Sequence, residues 1–371
     1  MSSDAVSANS LSKTLCLGLV GFVVVMLLAI VVFSLFSVSV FTSWVGYLFM
    51  CATPAQVIIA LLWKTNYPSQ LQRLAQPIKG LVLLAMTIGA GLIVAILVYY
   101  LVGSGVGAPT PMLNMYIIMS VVVSLWLIPV WHCWPISRFS DHPGVVGIVA
   151  LIAVYFIAYG LFNLLFDFSF LSAAPFYSVQ QDPQGLFNAW AVLSCSVTTV
   201  SIVMALVLLD FWPVQKIVGT AGQPWAGIVS TVIIAVLATA LYCLFTVYLS
   251  FDRVDYLVRV PVCFIFGVFI VNNLMRHQLL ISIAQPLRGV CLIVCAILCT
   301  LLIYQLYVLL ACVLNTDALL SGAPTYELEV WIATATLGVT FPIIITVSEY
   351  FQFWPIISNK DEPESQSSVS D

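Results

Sequence analysis

The sequence predicts an all-α, polytopic integral membrane protein of about ten transmembrane helices, built as five parallel two-helix hairpin repeats around an axis normal to the membrane. Three observations predict it: an excess of apolar residues, the length of the apolar runs, and a loop motif that returns along the chain. Of 371 residues, 62% are hydrophobic and 7% charged, against roughly 25% charged in an ordinary soluble domain. Such a chain cannot cover a water-facing surface, so its solvent is lipid. In lipid every backbone polar group must be satisfied within the segment, which leaves helices or a closed barrel. Barrel strands would be about ten residues long and would alternate in polarity. These runs are longer and do not alternate.

Windows of about 20 apolar residues, the length that crosses roughly 30 Å of hydrocarbon, fall at 16-40, 44-62, 80-103, 113-133, 144-166, 187-209, 226-249, 257-275, 289-314 and 329-352. Residues 1-15 form a polar cytoplasmic leader, 16-356 the transmembrane domain, and 357-371 an acidic tail too poor in apolar residues to fold. The first run is too long for the hydrophobic region of a cleaved signal, and no small-residue cleavage site follows it.

Orientation follows from lysine and arginine, which concentrate in cytoplasmic loops. With the N-terminus inside, Lys13, Lys64, Arg73, Lys79, Arg138, Lys216, Arg276, Arg288 and Lys360 are cytoplasmic, and only Arg253 and Arg259 are outside. Asp182, Asp252, Asp255, Asp317, Glu327 and Glu329 then form an acidic outer rim, read as solvated loop charge. Trp44, Trp63, Trp134, Trp212, Trp225 and Trp354 fall at span ends, where an amphipathic ring prefers the headgroup level. No Asn-x-Ser/Thr sequon is present, which is compatible with a bacterial origin. The expected location is a bacterial inner membrane, with both termini cytoplasmic.

The repeat is carried by the loops. A Trp is followed some ten residues later by Gln-Pro-x-x-Gly: Trp63 leads to Gln76-Pro77-Ile78-Lys79-Gly80, and Trp212-Pro213 to Gln223-Pro224-Trp225-Ala226-Gly227. Trp134-Pro135 leads to the degenerate His142-Pro143-Gly144, Gln285-Pro286-Leu287-Arg288-Gly289 lacks its tryptophan, and Trp354-Pro355 closes the last span. Outer loops recur as Gly107-Ala108-Pro109-Thr110 and Gly322-Ala323-Pro324-Thr325, with Ala173-Ala174-Pro175 between them. Proline at the first turn of a helix wastes no hydrogen bond and fixes the entry angle of the next span. A two-span unit returns the chain to one side, so its copies are related by rotation about the membrane normal. In hairpin count alone the arrangement resembles the plant anion channels and their bacterial tellurite-resistance relatives. No residue motif accompanies that likeness, so it implies neither site residues nor a substrate.

Ionisable residues inside spans cost about 2.5 to 3.5 kcal/mol at the centre, which makes each a functional candidate. Asp210 and Glu349 lie near the inner ends of their spans, and His132 occupies the place of Asp210, two residues before a tryptophan. Asp167 follows the fifth span and is read as a local cap. Asn272, Asn273 and Arg276 end the eighth span, where adjacent asparagines suit interhelical hydrogen bonds. Cys291, Cys295 and Cys299 share a helix face, and Gly89, Ala90 and Gly91 form a small-residue patch. Both are read as packing.

No basic stripe suits nucleic acid, no phosphate-binding glycine loop or His-Glu-x-x-His helix is present, and no cofactor, metal or enzymatic activity is expected. The leading expectation is a channel or transporter for a small molecule or ion, with Asp167, Asp210, Asn272, Asn273, Glu349, His132 and Arg276 as pore or substrate candidates. The alternative is a non-catalytic scaffold subunit of a membrane complex, and third a lipid-acting enzyme using Asp210, Glu349, His132 or Arg276. Expected partners are the bilayer, a small solute, and a homo-oligomer or complex subunit.

Overall fold

The computed structural model describes residues 2–172, 174, 177–315 and 318–356, with side chains from 14 onward. The tail, Asp317, Lys360, Ala173, Pro175 and the side chain of Lys13 lie outside the described residues. Among the described residues the protein is all-helical, 73% helix and 1% strand. Its long apolar helices are α1 (Ser2–Leu35, apolar from Thr14), α2 (Val38–Leu62), α3 (Ile78–Leu101), α4 (Pro111–Leu127), α5 (Pro143–Leu165), α6 (Ala189–Leu208), α7 (Trp225–Tyr248), α8 (Arg253–Leu274), α9 (Leu287–Leu314) and α10 (Glu327–Tyr350). A two-residue parallel pair, β1 (Phe166–Asp167) and β2 (Phe187–Asn188), ties the end of α5 to the start of α6.

Nine of these helices among the described residues are long and apolar enough to cross a membrane. The tenth expected span, 113-133, is regular for only 17 residues, or about 26 Å at 1.5 Å per residue. Pro129 cannot donate to the helical ladder, and the chain continues as turns to Trp134. The first hairpin is also tighter than expected. The chain turns at Phe36 and Ser37, and Trp44 lies within α2, packed on Tyr99 at 5.4 Å between ring centroids.

Burial divides the helices by parity. The most apolar windows of α2, α6, α8 and α10 bury 61–78% of their residues, those of α1, α3, α5, α7 and α9 only 17–33%. Most of α4 is buried too. The contacts explain the division. Helix α2 packs on α4, α4 on α6, α6 on α8, α8 on α10, and α10 back on α2, closing an inner ring. Each odd helix lies outside, against two ring members: α3 on α2 and α10, α5 on α4 and α2, α7 on α6 and α8, α9 on α8 and α6, α1 on α8 and α10.

The inner helices all end alike. Lys64 and Thr65, His132 and Cys133, Asp210 and Phe211, Arg276 and His277, Gln352 and Phe353 are five pairs of consecutive non-glycine residues with left-handed φ. The reversal lets the amides of Thr65, Cys133 and Phe353 reach back to carbonyls of Ile59, Leu127 and Val347, which the helix end would otherwise orphan. The residue before each pair presses on a glycine of an outer helix: Trp63 on Gly147, Trp131 on Gly227, Leu209 on Gly289, Met275 on Gly18, Phe351 on Gly80. Trp63 is therefore in register with Trp131, not with Trp134, Trp212 and Trp354 as the loop motif suggests. Its indole donates to the Pro143 carbonyl at 2.8 Å.

The Gln-Pro-x-x-Gly loops have a hydrogen-bond logic that proline does not supply. Pro77, Pro224 and Pro286 stand one residue before their helices. The glutamine side chain accepts from the glycine amide at Gly80, Gly227 and Gly289 (3.2, 3.0 and 3.1 Å). It also donates to the last carbonyls of a neighbouring inner helix: Gln76 to Tyr350 (2.8 Å), Gln223 to Val130 (3.0 Å), Gln285 to Leu208 (3.1 Å). One amide thus satisfies an orphan donor and an orphan acceptor of two helices at once. Elsewhere the helices are joined by Tyr350 to Thr87, Tyr256 to Thr198 and Tyr307 to Thr340 hydroxyl pairs, at 2.7–2.8 Å. In the small-residue patch, Gly91 meets Ala52, whereas Gly89 faces open space.

Candidate functional site

The axis of the inner ring holds a cavity of about 40 Å3, to which all five ring helices contribute. Met50 of α2, Ile118 and Val121 of α4, Val200 of α6, Ile265 and Phe269 of α8, and Leu337 and Phe341 of α10 line it, and no polar side chain does. The rings of Phe269 and Phe341 meet at 4.4 Å between centroids, tilted by 50°. Every lining side chain is apolar, so a charged or strongly hydrated species at this level would lose its solvation with little in exchange.

The two phenylalanines sit where backbone regularity is lowest. Phe269 immediately precedes a π-turn, Ile270–Leu274, and Phe341 immediately follows one, Thr334–Thr340. Pro54, Pro261 and Pro342 interrupt α2, α8 and α10, three neighbours in the ring, all with π-turns, whereas α4 and α6 have none. The carbonyl of Pro342, beside Phe341, accepts at 2.9 Å from Gln56 of α2, a side chain 2% exposed. The Thr346 hydroxyl donates to the same carbonyl at 2.8 Å, so replacing Gln56 by leucine removes one of its two side-chain donors and is expected to destabilise the chain by about 0.5–1.5 kcal/mol, read as a lowered midpoint of thermal unfolding in detergent.

The polar candidates stand at the rims. Asn273 donates to Glu349 at 2.8 Å, joining the C-terminal ends of α8 and α10, with the Ser348 hydroxyl 3.4 Å from the same carboxylate. Asp210 accepts from Gln285 at 2.7 Å, as part of a loop contact. Asn272 bonds His277 at 2.9 Å within its own turn. His132 and Arg276 are in the left-handed turns that end α4 and α8. Asp167 is at the opposite end of the bundle, accepting from the amide and hydroxyl of Ser169. The structure therefore brings together Asn273 and Glu349 and leaves the others apart, none of them at the apolar cavity.

The acidic residues expected to form a solvated rim are not all solvated. Asp182 is 7% exposed and accepts from the Phe168 and Gln184 amides and the Tyr177 hydroxyl. Glu329, 1% exposed, accepts from the Ser321 hydroxyl and the Gly322 amide. Arg259 pairs with Asp255 one turn earlier and covers the Tyr304 ring at 4.8 Å, which shields a guanidinium carried within α8.

Sequence reasoning overlooked Phe269, Phe341 and Gln56. For the two phenylalanines no signal distinguishes an axial ring from any other apolar residue in an apolar run. Gln56, an amide in the middle of a span, could have been found by the reasoning that singled out the asparagines.

Compared with known proteins, the chain matches no family model, no curated protein and no solved structure.

Proposed function

We propose that the chain is a membrane-embedded channel or carrier for a small solute, that its five hairpins are copies of one unit, and that the solute follows the axis of the inner ring. The observation that carries this reading is the axial cavity, lined from all five inner helices, with the rings of Phe269 and Phe341 in contact on its wall. A hydrophobic constriction of this kind closes a pore by excluding water, without any charged gate. The repeated helix ends support the copies. Five left-handed pairs and five glycine contacts at matching places are hard to produce without a common unit.

Insertion with the inner ends of α2, α4, α6, α8 and α10 in the cytoplasm follows from the basic residues beside those ends. Lys64, Arg73, Lys79, Arg138, Lys216, Arg276 and Arg288 lie there, against Arg253 and Arg259 at the other side. Single cysteines placed at Lys216 and at Val179, tested with a membrane-impermeant thiol reagent on intact cells, are expected to react at Val179 alone. Reaction at Lys216 would reverse the orientation.

The second reading is a scaffold subunit, and the small size of the cavity favours it. A ring that never opens is simply a core. Proteoliposomes holding the purified chain distinguish the two. Faster release of at least one among a panel of small anions, cations and neutral solutes supports passage. No response across the panel, together with a stoichiometric partner retained in mild detergent, supports the scaffold.

A further inference from the structure

At the outer side, away from the axis, the ends of α6, α7, α8 and α10 bound a cleft of about 280 Å3, close to the lower end of small-molecule sites, at roughly 300 Å3. Its walls include Trp190, Thr246, Phe251, Asp252, Arg253 and Tyr326. Two features set it apart from the rest of the outer surface.

The first is a pair of opposite charges that do not neutralise each other. Asp252 and Arg253 are adjacent in the chain and both exposed, yet among the described residues neither makes an ion pair, and the one salt bridge is Arg259 to Asp255. The Asp252 carboxylate is instead fixed in place. One oxygen accepts from the amides of Val254 and Asp255 at 2.9 and 3.2 Å, and the other accepts from the Tyr326 hydroxyl at 3.0 Å. Each oxygen has two lone pairs, so the second retains acceptor capacity towards a ligand.

The second feature is an aromatic wall. Trp190 and Tyr326 meet edge to face at 5.8 Å, and Phe251 stands in the same cleft. Tyr326 is held at φ 51, left-handed and strained for a residue with a Cβ. Burial, and then the hydrogen bond to Asp252, push its phenol up to about 12, so it remains a donor throughout the physiological range. A carboxylate beside aromatic faces attracts an ammonium group through both charge and ring quadrupole. A guanidinium beside it attracts a phosphate or carboxylate.

We propose that this outer cleft binds a zwitterion, with its ammonium group at Asp252 and the aromatic wall and its anionic group at Arg253. Two sources carry this chemistry: a free small solute such as an amino acid or phosphoethanolamine, and the headgroup of an ethanolamine phospholipid in the outer leaflet. The strongly exposed apolar side chains of Val247, Tyr248 and Leu249 next to the cleft give a lipid-borne headgroup a place for its chains. The inference stands on the cleft alone and does not depend on passage along the axis.

The test is equilibrium binding to the full chain in detergent, with phosphoethanolamine as the free probe, and native mass spectrometry with phosphatidylethanolamine against phosphatidylglycerol as the lipid probes. Saturable binding of phosphoethanolamine identifies the free source. Retention of phosphatidylethanolamine over phosphatidylglycerol without binding of the free probe identifies the lipid. Asp252→Asn keeps a good helix cap while removing the charge, and Arg253→Gln removes the guanidinium. Each is expected to weaken binding at least about tenfold, which is about 1.4 kcal/mol. Asp252→Asn should also abolish the preference for the amine-bearing headgroup, with unfolding temperature unchanged in both variants. No saturable binding of either probe, or binding indifferent to both substitutions, overturns the proposal.

Discussion

Alanine at both Phe269 and Phe341 is expected to raise the release of small solutes from proteoliposomes at least about tenfold, the equivalent of about 1.4 kcal/mol of barrier. The two rings touch at 4.4 Å across a cavity of about 40 Å3 that has no polar wall. Removing both joins the cavity to the space they occupied and widens an apolar constriction of the kind that gates by excluding water. Either single substitution should do less, because the remaining ring can lean into the gap. Phe266 is the control. It lies on the same helix, is fully buried and packs edge to face on Tyr307 at 5.8 Å, but does not line the cavity. Phe266→Ala should lower stability by about 3–5 kcal/mol and leave release unchanged. Equal release from the two variants would mean that a loosened core, not an opened axis, leaks.

The second large effect concerns the link between outer and inner helices. A Cβ at Gly289 would stand 2.7 Å from the Leu208 carbonyl oxygen and 2.8 Å from the Leu209 Cα, both backbone atoms that cannot yield without moving a helix. Gly289→Ala is therefore expected to cost about 1–3 kcal/mol. At Gly160 a Cβ meets nothing within 4 Å, and Gly160→Ala should be neutral or should stabilise by up to about 1 kcal/mol. Thermal unfolding in detergent measures both. Gln285→Leu leaves the Gly289 amide and the Leu208 carbonyl without their shared partner, and its cost should be comparable to that of Gly289→Ala. Similar unfolding midpoints for Gly289→Ala and Gly160→Ala would remove the close approach as a determinant of the fold.

Much of the architecture is legible in the sequence because apolar runs of this length admit so few solutions. The apolar runs locate the helices within a few residues, and the exceptions have local causes: Pro129 cuts α4 short, and Ser37 turns the chain earlier than Trp44 suggested. The recurring Gln-Pro-x-x-Gly was visible as letters, but its work was not. Proline seemed to be the reason for it, whereas the glutamine amide makes the contact and the glycine permits it. Lys64, His132, Asp210, Arg276 and Gln352 share a left-handed turn although their side chains have nothing in common. Backbone geometry repeats there where sequence does not, which is why the first and fourth helix ends escaped the motif. The polar candidates were chosen on the cost of burying charge, and that rule led to the rims. Asn273 and Glu349 do meet, but the cavity within the inner ring is lined by apolar side chains, for which the rule has no signal.

The central claim is that the inner ring surrounds a passage. A single cysteine at Val200, on the cavity wall, tests it in a chain whose ten native cysteines are replaced, with Val236 on the outward face of α7 as the reference position. In the Phe269→Ala, Phe341→Ala background, a water-soluble methanethiosulfonate is expected to modify the Val200 position rapidly and to stop release, while leaving the Val236 position unreacted. Modification that proceeds at Val200 without affecting release, or that fails there while solute still escapes, would show that the solute does not follow the axis.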